Sequence, residues 1–174
     1  MKRREHDGRR TNGARANGHR GRPFFDALVV GGSGAAALTI AHEAVRQLTP
    51  RSPRLDRLGM SALERGLRAL GVKPPRGARL RGAALLSDIG ANAIWYAPVA
   101  FGKRLTLARG HAHGLAAGIG AVVLPPALGL SARHRGRDVT EKAITVGLYA
   151  LGGLAAAAVA SLLHAHSAEE PPET

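Results

Sequence analysis

The sequence reads as all-α: a four-helix transmembrane bundle, with one amphipathic interfacial helix between helices 1 and 2. Residues 143–163, AITVGLYALGGLAAAAVASLL, number 21 and carry no charge, in a chain of 174 residues with formal net charge +13. As a helix that run would be about 31 Å long, close to the roughly 30 Å hydrocarbon thickness of a bilayer. The chain as a whole has a mean hydropathy of -0.06, but this average blends two populations, charge-free Ala/Gly/Leu/Val runs and Arg-rich connectors. Aromatic residues are scarce: Phe24, Phe25, Trp95, Tyr96, Phe101 and Tyr149. A water-soluble core of this size normally uses more of them as volume fillers. Packing through Ala, Gly and Leu suits close helix contact in lipid.

Residues 1–22 hold eight Lys or Arg, four Gly and, beyond Met1, no large apolar residue. Such a segment buries too little surface to offset its ordering entropy, which predicts a disordered basic arm. It makes a poor secretory signal: the n-region is too long, and Arg3-Arg4 stands far from the apolar run. The first span is expected at about 24–48, charge-free over the middle, with Asp26 near one end and His42, Glu43 and Arg46 near the other. Gly31/Ala35 and Gly32/Ala36 are small pairs four apart on one face.

The connector at 49–81 predicts a helix of its own at about 53–70. Ser52-Pro53 can open it, Ser61 to Glu64 has the pattern of a capping box, and Gly71 is a stop signal. Leu55, Leu58, Leu63, Leu67 and Leu70 approximate one stripe, with Arg54, Arg57, Arg65 and Arg68 beside it. An Arg-bordered amphipathic helix between two spans belongs in the headgroup plane. The alternative is a helix packed on a soluble core.

The second span is expected at about 82–102, with Asp88 as its one charge, and the third at about 110–131, interrupted by Pro125-Pro126. Those prolines should kink or stop the helix. The fourth span, about 143–163, follows Asp138-Val139-Thr140-Glu141, whose acids suit a helix N-terminus. Residues 167–174 are expected as a disordered acidic tail. Short connectors between the later spans favour up–down neighbours. Lys and Arg divide 14 against 11 between the two faces of this topology, too even to set an orientation. Such a balance also fits insertion in both directions as an antiparallel dimer.

Ionisable groups inside spans mark function or helix contact. Asp88 and Asn92 are four apart and share a helix face. The topology brings them to the same end of the bundle as His42 and Glu43. The functional reading is a proton or cation site between helices 1 and 2. The structural reading is a clasp, with Asp88 capping or pairing with Arg46 or Arg81. His111, His113, His164 and His166 gather at the opposite end, but residues two apart point to different helix faces, so no metal site is assigned to them.

Gly110, Gly114 and Gly118 recur at four-residue spacing along one face of the third span. Gly152/Ala156 and Gly153/Ala157 offer a matching face on the fourth. This pattern predicts close helix packing, within the chain or against a second copy. Read as a dinucleotide loop, the glycines lack a strand–turn–helix context and a downstream acid. With no cysteine in the sequence, thiolate chemistry and Cys-based metal sites are excluded. No catalytic motif and no cofactor signature occurs.

Leu38-Thr39-x-x-His42-Glu43-x-x-Arg46, Leu58-Gly59-Met60 and Leu124-Pro125-Pro126, in this layout, resemble families of small multi-pass membrane proteins of bacteria. The resemblance covers about residues 24–163. Those families carry no assigned catalytic residues, so none is transferred here. Three functions compete at this stage. One is a non-catalytic accessory, assembly or scaffold subunit of a bacterial inner membrane. It would partner the lipid bilayer, anionic headgroups through its Arg-rich connectors, and a second copy or another membrane protein. Another is a small transporter or proton/cation conduit using Glu43, His42 and Asp88. The last is a soluble basic nucleic-acid binder, disfavoured because aromatics are not interleaved with arginines.

Overall fold

A computed structural model describes residues 12–49, 55–102, 106–130 and 138–169. The described residues are all-helical and contain no strand: α1 Asn12–Leu48, α2 Leu55–Ala69, α3 Ala78–Tyr96, α4 Thr106–Ala127 and α5 Val139–Glu169. Around the bundle the order is α1, α3, α4, α5, with α5 returning to α1. The α4–α5 and α1–α5 faces are the most extensive, and the α3–α4 edge is thin. Two helices are long and apolar enough to cross a membrane: Pro23–Leu48, with mean hydropathy 1.6, and Val139–Ser167, with 1.9. By that measure two of the four expected spans qualify. Arg79, Arg81 and Asp88 dilute α3, while Arg109, two histidines and two prolines dilute α4.

α1 begins at Asn12, well inside the stretch read as a disordered arm. Once the apolar part is helical, adding residues needs propagation without a fresh nucleus, and Ala14, Arg15 and Ala16 are good helix formers. Residues 1–11 lie outside the described residues, as do Ser52-Pro53 and residues 170–174 of the tail. At the other end of the chain, α5 extends through Glu169.

α2 matches the amphipathic reading over the described residues. Because Leu55–Ala69 is one helix, Ser61 falls mid-helix, and its hydroxyl donates back to the Arg57 carbonyl (3.0 Å) instead of capping. Glu64 pairs with Arg68 at 2.7 Å. The stop is where it was expected: Gly71 takes φ 73, Val72 N donates to Leu67 O (2.8 Å), and Gly71 N donates to Arg68 O (3.0 Å). That is the Schellman arrangement.

α3 ends before its expected limit. Pro98 removes a donor, and Ala97–Ala100 tightens into a 3₁₀ turn. Arg109 finishes this corner from α4, donating to the carbonyls of Phe101, Gly102 and Pro98. α4 stops at Ala127, directly after Pro125-Pro126, where the prolines were expected to kink or end it. Pro125 and Pro126 stand in the final turn, and a second Schellman closure follows: Gly129 at φ 63, with Leu130 N donating to Pro125 O (2.9 Å).

Packing inverts the usual distribution of side-chain size. The buried apolar positions are chiefly Ala27, Ala35, Ala84, Ala100, Ala150, Ala156, Ala157 and Ala160, joined by Val30, Leu38, Tyr96, Val99 and Leu148. Large side chains point outward, among them Phe24, Leu28, Ile40, Leu86, Ile94, Ile119, Val123, Leu151 and Leu162. The Gly110/Gly114/Gly118 face lies on α5. A methyl group added at Gly114 would stand 2.6 Å from the Tyr149 carbonyl oxygen, and one at Gly118 would stand 2.7 Å from Val146 Cα. A methyl at Gly153 would meet Gly110 O and Gly114 N. Gly152 faces Gly34 across the α1–α5 contact.

Candidate functional site

Two helix faces converge at the end of the bundle where α1 finishes and α3 begins. From α1 come Leu38, Thr39, His42, Glu43 and Arg46, repeating at the four-residue period of one face. From α3 come Arg81, Ala84, Leu85 and Asp88 at the same kind of spacing. Gly59 of α2 and Tyr149 of α5 complete the wall of a cavity of ≈ 550 Å³. α2 is held at this end by packing on α3 and by Arg65, which donates to the Leu128 carbonyl beyond α4 (2.6 Å).

Of the four residues in the expected polar cluster, His42, Glu43 and Asp88 line this cavity together. Glu43 is already engaged: Arg46 donates to it through Nε (2.8 Å) and a terminal nitrogen (2.7 Å), and Gln47 adds a third bond at 3.1 Å. A bidentate guanidinium–carboxylate pair one turn apart neutralises itself. Asp88 is different. Among the described residues it forms no ion pair with Arg46 or Arg81. Its charge interacts with that of His42.

Asn92 stands one turn deeper and is buried. Its Nδ2 donates to the Asp88 carbonyl at 2.9 Å. Asn92 does not line the cavity but lies behind its deep end, one turn beyond Asp88. Beneath it lies Tyr96, 0% exposed, whose hydroxyl donates to the Tyr149 carbonyl (2.8 Å). Its ring fills the space between Gly34 and Gly152. Val30 and Val99, both fully buried, close the interior around it.

Tyr96 and Tyr149 were legible only as rare aromatics. The signal that marks them is their phenol hydroxyl, placed among glycine and alanine. Gly59 of the wall gave no signal, because it belongs to a connector helix whose docking the sequence does not encode locally.

At the opposite end the histidines disperse. His113 Nδ1 lies 3.0 Å from the Arg109 carbonyl, His164 Nε2 lies 3.1 Å from the Ala100 carbonyl, and His166 Nδ1 lies 3.1 Å from the Leu162 carbonyl. Trp95 donates to the His113 carbonyl (3.0 Å), which is the main polar link across the thin α3–α4 edge. Among the described residues, no group of three His, Cys, Asp or Glu is placed to hold a metal ion.

Chemically, the cavity offers two guanidiniums, two carboxylates, an imidazole and a phenol against an apolar wall. Such a lining recognises a ligand by charge and shape. No protein-family model, curated protein or solved structure matches this chain.

Proposed function

We propose that this chain is a small integral membrane protein of a bacterial inner membrane. In this reading α1, α3, α4 and α5 cross the bilayer, and α2 lies in the headgroup plane. Its role is non-catalytic, as an accessory, assembly or scaffold subunit. The observation that supports it is the inverted packing: glycine and alanine inside, with leucine, isoleucine and phenylalanine outside. In water such an exterior would form apolar patches far larger than soluble monomers tolerate. In hydrocarbon it costs nothing, and small interior residues let helices approach closely enough for dispersion and hydrogen bonding to hold them. The two helices of sufficient length and apolarity, α1 and α5, pack on each other at the bundle's centre.

The test is extraction. Membranes from expressing cells are washed with high salt and then carbonate at high pH. The protein is expected to stay in the pellet and to need detergent for release. Recovery as a monodisperse folded species without detergent ends this reading and revives the soluble nucleic-acid binder.

A second reading, a proton or cation conduit, draws support from the cavity that gathers His42, Glu43 and Asp88. It needs a water path beyond Asp88, where Asn92 and Tyr96 fill the interior. Ion flux in proteoliposomes tests it, and Asp88→Asn must abolish any flux attributed to this path.

A further inference from the structure

Among the described residues, two charged side chains of the cavity, Arg81 and Asp88, form no ion pair, although His42 lies close enough to Asp88 to interact with its charge. Glu43 and Arg46 satisfy each other. Arg81 and Asp88 lie seven residues apart on one helix, hence on one face and about 10 Å apart along the axis. Between them on that face are Ala84 and Leu85, with Leu38 across the cavity on α1. The wall therefore reads, from mouth to floor, cation, apolar strip, anion.

From this order the geometry points to a binding site for a zwitterion: an anionic group on Arg81, an apolar spacer along Leu38, Ala84 and Leu85, and a primary ammonium on Asp88. The assignment rests on the reading of the bundle as a membrane protein, which sets Arg81 at the headgroup level and Asp88 about two turns deeper. A metal cation does not suit the site, because among the described residues no three His, Cys, Asp or Glu side chains come together to replace a hydration shell. An ammonium needs fewer: one carboxylate and nearby acceptors satisfy its three donors, and the Tyr149 phenol lines the same end. A simple anion would use Arg81 and gain nothing from Asp88, whose carboxylate would repel it. Because Asn92 and Tyr96 fill the interior behind the deep end, the ligand enters and leaves by the α2 end, and the site holds its ligand without passing it on.

The full chain in nonionic detergent is titrated calorimetrically with 6-aminohexanoate, whose charged ends stand about 7–8 Å apart when extended and bridge the span between Arg81 and Asp88 with an ion-pair contact at each end. Hexylamine and hexanoate serve as half-ligands, and shorter and longer ω-amino acids as rulers. The expected result is saturable binding with an optimum near the six-carbon spacer, at least about tenfold tighter than either half-ligand. Asp88→Asn should lower affinity to that of hexanoate, and Arg81→Gln to that of hexylamine. A half-ligand that binds as well as the zwitterion, affinity independent of spacer length, or no saturable binding overturns the assignment. The length series uses the unaltered chain, so a variant that fails to fold does not remove the test. Carbonate extraction reports separately on the membrane reading. A chain that stays in the pellet and binds none of these probes loses the ligand alone.

Discussion

Gly114 and Gly147 differ by their surroundings. A side chain at Gly114 would press on the Tyr149 carbonyl oxygen and on Ala150 Cα, 2.7 Å away, whereas one at Gly147 meets nothing within 4 Å. Backbone cannot swing aside as a flexible side chain can, so Gly114→Ala should destabilise the bundle by about 1–3 kcal/mol. Gly147→Ala should be neutral or stabilising by up to about 1 kcal/mol, through helix propensity. Thermal unfolding in detergent, followed by circular dichroism, checks both. Tyr96→Phe removes the hydroxyl donated to the Tyr149 carbonyl and leaves the ring in place. About 0.5–1.5 kcal/mol should be lost in the same measurement. The glycine spacing made the α4 face visible in the sequence, because a four-residue period is a local property. Tyr96 as the buried centre was not visible, since its environment comes from α1 and α5, distant in sequence.

The helices differ in how fully their neighbours were encoded. α5 announced itself by a charge-free run, and α2 by its leucine stripe and the stop at Gly71. The boundary of α3 was missed because Pro98 acts together with Arg109, whose guanidinium satisfies the corner from the next helix. The cap expected at Ser61 failed for a different reason. A capping box and a mid-helix Ser-x-x-Glu are identical as strings, and only the point where the helix begins separates them. α2 is anchored to α4 by Arg65 bonding to the Leu128 carbonyl. Arg65→Ala should loosen that dock while leaving the packed bundle intact. Limited trypsin digestion in detergent should then cut after Arg76, in the exposed linker, several times faster, with the melting transition nearly unchanged. Equal digestion rates would show that α3 contacts alone hold α2.

For the molecule as a whole, the question is which solvent its surface meets. Leu86 and Ile94 project from α3 with 72% and 77% of their surface exposed. In lipid, Leu86→Arg near the helix midpoint should cost about 2.5–3.5 kcal/mol of insertion free energy. It should reduce the carbonate-resistant fraction strongly. In water the same change would be harmless and would improve solubility. Total composition hid this property, because basic connectors average out apolar helices. The cavity was partly legible for the same topological reason that the helices were: alternating helix directions bring His42, Glu43 and Asp88 to one end. Its mouth at Arg81 and its floor at Tyr149 depended on helix rotation, which spacing alone does not determine.

The phenol ring lodged between Gly34 and Gly152 makes the bundle mechanically asymmetric. Separating α1 from α5 at that level would require expelling a wedge that fits only because both helices lack side chains there. The cavity end has no such plug and is bridged by a connector helix. Any opening of the helices is therefore expected at the cavity end beneath α2, with Tyr96 as the fulcrum of a clothes-peg.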